Sequence, residues 1–198
     1  RLAPIMEPGQ YYIPAGGYGS LGAKGAADIM NYAGAGTSSA RVATEMIHTG
    51  APGATGSGGN KHADALRYTH ILCACGTGTM LAGLTQATPS ARVIGIAALK
   101  HTQLGVEAGQ LIGYPELEMI HNFHFGGYAK KTQELLDFMN LFYTTTGIPT
   151  DFVYTGKLMF AIRQLIQKQF FPPKSRILAI HSGGLQGNNS LKKGQLLY

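Results

Sequence analysis

The 198-residue chain is predicted to fold as an α/β three-layer sandwich with a mainly parallel sheet. Three observations lead there. An apolar, β-branched run at 69–75 passes through a glycine- and threonine-rich turn into a small-residue segment with helical character from Thr79. A second buried run, Ala91-Arg92-Val93-Ile94-Gly95-Ile96, follows at the distance of one crossover helix, and strand, helix, strand at that spacing makes a right-handed unit with parallel strands. Arg176-Ile177-Leu178-Ala179-Ile180 forms a last buried run that opens into His181-Ser182-Gly183-Gly184.

In chain order, Gln10-Tyr11-Tyr12-Ile13-Pro14 reads as a short strand and Ala15-Gly16-Gly17-Tyr18-Gly19 as a glycine loop, with Ser20 as the N-cap of a helix over 21–32. From 33 to 59 Gly, Ala, Ser and Thr dominate, too little apolar matter for a core. Residues 33–67 are therefore read as an insertion or linker between the two parts, 10–32 and 68–198, of one α/β domain. The crossover helix is expected over 79–87, and 117–121 as a weaker strand. Phe125-Gly126-Gly127-Tyr128 is a turn that exposes Tyr128. Leu135, Leu136, Phe138, Met139 and Phe142 recur at helical spacing within 132–145. Leu158, Met159, Ala161, Ile162, Leu165 and Ile166 do the same in a helix that ends near 169, before Pro172-Pro173.

Hydrophobic residues make up 44% of the chain, enough for a sizeable core, and charged residues only 13%, about half the usual share. The formal net charge of +6 is spread out: Lys and Arg are adjacent only at Lys130-Lys131 and Lys192-Lys193, which does not make the basic face that nucleic acid needs. A field that attracts small anions is what remains. Cys73 and Cys75, at i and i+2 of a strand, point to one face and match no zinc or redox spacing, so reduced, buried thiols are expected. No apolar run reaches membrane-spanning length, and Arg1-Leu2-Ala3-Pro4 lacks the architecture of a signal peptide. A soluble, cytoplasmic protein without nucleic-acid or membrane partners is the expectation.

Four glycine-bearing loops flank these elements, at 15–19, 76–79, 125–128 and 182–184, and in a parallel sheet they can converge at one edge. Gly76-Thr77-Gly78-Thr79 between a strand and a helix aims backbone N–H groups at one point, and the helix dipole adds positive charge there, which favours a phosphate. The loop is neither a Walker loop nor a dinucleotide fingerprint, and a purely structural turn is the alternative.

Tyr12-Ile13-Pro14-Ala15-Gly16-Gly17, Cys75-Gly76-Thr77-Gly78-Thr79, Val153-Tyr154-Thr155-Gly156-Lys157 and Ile180-His181-Ser182-Gly183-Gly184 stand in a telling order. In order and approximate spacing the chain resembles the 1-aminocyclopropane-1-carboxylate deaminase and D-cysteine desulfhydrase family, over most of 10–32 and 68–198. These are pyridoxal 5'-phosphate enzymes of the tryptophan synthase β-subunit fold type. The resemblance implies that the chain is part of the large cofactor-binding domain. It implies that Gly76, Thr77, Gly78 and Thr79 hold the cofactor phosphate, and that Tyr128 and Tyr154 face the substrate and assist proton transfer. Ser182 resembles the residue that hydrogen-bonds the pyridine nitrogen. The bland readings are amphipathic tyrosines, with the ring in the core and the hydroxyl on a carbonyl, and a capping serine. In the cyclopropane deaminases a glutamate follows the tyrosine equivalent to Tyr154. Thr155 stands there in this chain, and Thr155 with Ser182 resembles the desulfhydrase branch. A neutral hydroxyl leaves the ring nitrogen largely unprotonated, which suits β-elimination better than opening a cyclopropane.

The family's covalent lysine lies in a Gly-Asn-Lys motif of an N-terminal segment, which is expected to be missing here together with most of the small domain. Gly58-Gly59-Asn60-Lys61 matches that motif locally, at a different point of the chain order, and makes Lys61 the candidate. Lys24, Lys100 and Lys157 are weaker candidates, and Lys157 reads as a surface or phosphate-side charge. The expected activity is a desulfhydrase-like β-elimination on a small D-amino acid, giving a 2-oxo acid and ammonia, unless the fragment is inactive. A cyclopropane-carboxylate deaminase, a non-catalytic phosphate-binding remnant and a plain α/β interaction domain are the alternatives. The expected partners are the amino-acid substrate and, through apolar surface left bare, a second copy in a homodimer.

Overall fold

The structure is a computed structural model and describes residues 14–33 and 68–198. Four parallel strands lie in the order β3-β2-β1-β4, where β1 is His70–Cys75, β2 Arg92–Ala97, β3 Met119–Ile120 and β4 Ile177–Ile180. Leu72 sits opposite Ile94 on one side and Ala179 on the other, so β1 is paired along both edges. The described residues also form five α-helices, α1 (Ser20–Ala27), α2 (Thr79–Ala87), α3 (Leu104–Gln110), α4 (Gln133–Thr146) and α5 (Thr155–Gln167), and three short 3-10 helices.

The strands are apolar at nearly every position because both faces are covered. Leu72, Ile94, Ile96, Ile177 and Ala179 point to one face and pack with Leu136 and Phe138 of α4 and Leu158 and Ile162 of α5. Ile71, Cys73, Cys75, Leu178 and Ile180 point to the other and pack with Ala23, Leu81, Leu84 and Leu104. That is the expected three-layer α/β sandwich. Cys73 and Cys75 share a face as their spacing predicts, free and buried, with sulfurs 3.8 Å apart.

α1 lies against α2 at the distance of bare backbone. A Cβ on Gly83 would land on the Ala23 carbonyl and 2.8 Å from the Ala26 Cβ, so only a glycine lets the two helices meet. α4 begins at Thr132, whose hydroxyl accepts from the Leu135 N–H at 3.3 Å, and stops at Gly147, held at φ 72° in the left-handed region that helix ends favour.

Several expectations are corrected here. Ser20 is the first residue of α1 rather than its cap, which is Gly19, and the helix gives way to a tighter turn at Asp28–Asn31. The strand expected at 117–121 shrinks to two residues. α3 has no counterpart in the sequence reading. The strand expected over 10–14 falls, but for Pro14, outside the described residues, as does the 33–67 insertion, but for Ala33, with Lys61 inside it. Among the described residues no helix is long and apolar enough to cross a membrane.

From β1 the chain moves outward to β2 and β3, then returns to β4 on the opposite side of β1. Connections therefore diverge at the β1–β4 boundary, and in sheets of this kind ligands sit there, beyond the carboxyl ends of the strands.

Candidate active site at the carboxyl edge of the sheet

At the end of β1, Gly78 caps α2 in the left-handed region (φ 77°), and a Cβ there would be 2.5 Å from that of Ala108. The loop is thus stripped of side chains at the point where the first N–H groups of α2, which have no partner within the helix, face outward with the positive end of its dipole. Two hydroxyls line it: Thr77 Oγ1 lies 2.9 Å from Thr79 Oγ1 and donates to the Gly16 carbonyl at 3.4 Å. Gly16 is itself left-handed (φ 65°), with room for no Cβ beside Thr77. The first glycine loop and the 76–79 loop are therefore in contact.

Tyr154, the residue before α5, reaches over the same loop. A Cβ on Gly76 would stand 2.9 Å from its hydroxyl. Tyr128, 60% exposed as the turn predicts, sets its ring edge-to-face on Tyr154 with centroids 6.1 Å apart. Burial, and after it the neighbouring Tyr128 phenol, push the Tyr154 hydroxyl up to about 12. It keeps its proton at any ordinary pH, so it can donate a hydrogen bond but is not a resting phenolate.

Behind Tyr154 stands a buried carboxylate. Asp151 Oδ1 accepts from the N–H groups of Val153 and Tyr154 at 2.8 and 2.7 Å. Its Oδ2 accepts from the Thr155 N–H at 3.0 Å and the Thr155 hydroxyl at 2.6 Å. The Asp151 N–H donates back to that hydroxyl at 2.8 Å. A negative charge at the start of α5 is also favoured by the helix dipole. Gly184 lies over this group, with its Cβ position 3.6 Å from Asp151 Oδ2. His181 is held between the Pro149 carbonyl at Nε2, 2.9 Å, and the Gly183 N–H at Nδ1, 3.2 Å, which assigns the Nε2-protonated tautomer.

Gly76, Thr77, Gly78, Thr79, Tyr128 and Tyr154 thus come together. Ser182 is exposed, two residues past Ile180, which pairs with Cys73, and so lies level with the end of β1. Thr155 is fully buried behind Tyr154, its hydroxyl engaged by Asp151. Lys61 lies outside the described residues. Lys157 is not a surface charge: it is fully buried, and Nζ donates to the carbonyls of Ala98, His124 and Gly127 at 2.9, 2.9 and 2.8 Å. Sequence reasoning missed Asp151. The signal available was an acidic residue four positions before Thr155 at a helix start.

The bifunctional D-cysteine desulfhydrase/1-aminocyclopropane-1-carboxylate deaminase, mitochondrial, of Arabidopsis thaliana is 29% identical over 195 residues, covering 89% of this chain and 42% of the relative. The 1-aminocyclopropane-1-carboxylate deaminase of Mesorhizobium japonicum is 34% identical over 108 residues, 54% of this chain and 32% of the relative. A solved ACC deaminase homologue superposes with a TM-score of 0.62 at 26% identity, over 89% of this chain and 50% of that one. In sequence and in fold the chain is similar to this deaminase and desulfhydrase family. It spans less than half the length of these two curated relatives. No protein-family model matches the chain. The family's enzymes depend on pyridoxal 5'-phosphate, and the residues present fit its phosphate. The cradle at 76–78 is one that a Cβ would fill, it is lined by two hydroxyls, and a protonated phenol overhangs it.

Proposed function

We propose that this chain forms the phosphate-binding and tyrosine-bearing part of a pyridoxal-phosphate lyase that acts on a small amino acid, D-cysteine before the cyclopropane amino acid. The observation that carries the reading is the Tyr154 hydroxyl standing over Gly76, on the loop at the β1–β4 boundary. Bound there, pyridoxal phosphate supplies the electron sink that lets a bond at an amino-acid α-carbon or β-carbon break. The N–H groups of the 76–79 loop and the Thr77 and Thr79 hydroxyls would hold the phosphate. Tyr154 would hold a proton at its hydroxyl toward the reacting atoms, and Tyr128 would close the solvent side and keep that proton in place. Ser182, at the end of β4, would meet the pyridine nitrogen. Thr155 would act from behind, by fixing the start of α5 on which Tyr154 is carried. Lys61 is the proposed covalent lysine and a second copy of the chain the proposed partner. The two reduced thiols support a cytoplasmic location.

The test is binding of pyridoxal phosphate against pyridoxal by calorimetry. The phosphate should tighten binding at least about tenfold, and Gly76→Val, which drives a side chain into Tyr154, should remove that preference. Equal affinities for the two vitamers would sink the reading. Borohydride reduction followed by peptide mapping should place an adduct on Lys61. Sulfide from D-cysteine should exceed ammonia from 1-aminocyclopropane-1-carboxylate, and the reverse order would overturn the preference for D-cysteine.

A further inference from the structure

A fully buried lysine with every donor engaged is the group that the proposed function leaves unused. We propose that Lys157 is a positioning residue, whose ammonium ties the carbonyls of Ala98, His124 and Gly127 and so holds the 124–129 loop where Tyr128 meets Tyr154. The importance given to that pair rests on the reading above.

The loop needs a tether. Phe125 and Ala129 both lie in the left-handed region, at φ 53° and 50°, flanking Gly126 and Gly127 at 98° and 130°. Side-chain-bearing residues adopt that conformation only where the surroundings impose it. Two of the three acceptors, His124 and Gly127, belong to this loop, and the third, Ala98, follows β2. Nζ thus binds the loop to the sheet, while its own backbone sits in the first turn of α5, three residues past Tyr154. One side chain fixes the spacing between the elements that carry the two tyrosines. The competing explanation is the Phe125 ring, which packs edge-on against Phe160 of α5 with centroids 4.9 Å apart.

The ammonium is held against the cost of burial, which pulls Lys157 down to about 8, while Asp151 at the head of α5 opposes the drop. Burial, and after it Lys100, Lys157 and His121, hold the His124 imidazole below the usual histidine range, and as a base it can supply no counter-charge to the ammonium. When Lys157 loses its proton it retains two N–H groups for three carbonyls.

The experiment is solution NMR on the native chain and on Lys157→Met, which keeps the stem and removes the donors. In the native chain Tyr128 and Tyr154 ring protons should show a mutual Overhauser contact. In Lys157→Met that contact should vanish, and the Gly127 and Lys130 amides, which donate to His124 and Gly127, should exchange at least about tenfold faster while β1 amides change little. A folded Lys157→Met that keeps the contact and the protection overturns the proposal and assigns the loop to Phe125. Should the variant not fold, the native chain is followed from about pH 6.5 to 9.5. Loss of the ring contact with a midpoint near 8 supports the tether, and a contact unchanged above pH 9 overturns it. None of these readouts needs the cofactor. If pyridoxal phosphate fails to bind, the functional reading falls and the loop result stands.

Discussion

Replacing Asp151 with alanine removes the acceptor for three main-chain N–H groups and one hydroxyl, at 2.8, 2.7, 3.0 and 2.6 Å. A hydrogen bond to a charged group contributes about 1.5–3 kcal/mol, yet simple addition over four would rival the whole stability of a typical domain. The bonds share one carboxylate and cannot be additive. The Tyr154 N–H, on a half-buried residue, can recover water, while the buried Val153 and Thr155 cannot. The deletion also removes from the buried Lys157 the negative charge of Asp151 that favours its ammonium. About 3–5 kcal/mol is the expected loss, in the range of a buried charged group stripped of its partner. Urea denaturation followed by far-ultraviolet dichroism measures it as a fall in midpoint at constant slope. A companion Thr155→Val should lose about 1–3 kcal/mol, and the double variant should cost clearly less than the sum, because both act on one network. A loss under about 1 kcal/mol for Asp151→Ala at unchanged slope would refute the claim that this carboxylate organises the start of α5.

Gly83→Val places a side chain on the Ala23 carbonyl and should destabilise the docking of α1 by about 1–3 kcal/mol, seen as faster amide exchange in α1 before any change in β1. Lys157 is lowered from 10.5 to about 8, so between those values the unfolded chain binds a proton that the folded chain does not, and stability rises with pH. Across pH 8–9 Cys75, whose thiol is raised by its bond to Cys73 and by burial, acts in the opposite direction, and it does so equally in Lys157→Met. Relative to Lys157→Met the native chain should gain about 1 kcal/mol across that interval; a flat difference between the two would count against the burial of a charged lysine.

The strands and the crossover helix were legible because their signal is local. β1, α2 and β2 show the apolar runs and punctuation that a covered parallel sheet demands, and α2 starts and stops where the spacing indicates. α3 was hidden by Gly105 and Gly109, which lower helix propensity and look like loop residues. They are there because a Cβ on either would come 2.6 Å from a carbonyl, of Leu117 and Tyr114 respectively. The tyrosines and the 76–79 loop could be picked out as motifs. Lys157 could not, since its acceptors lie 59, 33 and 30 residues away in sequence and only the finished fold brings them to one ammonium. Asp151 is an intermediate case, a local acceptor whose partners exist only once α5 has started.

The pair of threonines at the mouth of the loop makes it a proton-ordered element. With the Thr77 hydrogen on the Gly16 carbonyl, the 2.9 Å contact must run from Thr79 to Thr77, and both hydrogens are spent on the protein. An anion that takes the Thr77 hydrogen breaks the bond to Gly16, and one that takes the Thr79 hydrogen keeps the threonine pair bonded only if Thr77 turns from Gly16 to Thr79. The bond most readily given up is the 3.4 Å one to Gly16, the weakest of the set. Occupancy of the loop and attachment of the 14–33 segment therefore draw on the same hydrogen atom. Ligand affinity and the docking of that segment are coupled with opposite sign, a linkage that amide exchange at Gly17 and Tyr18 would register.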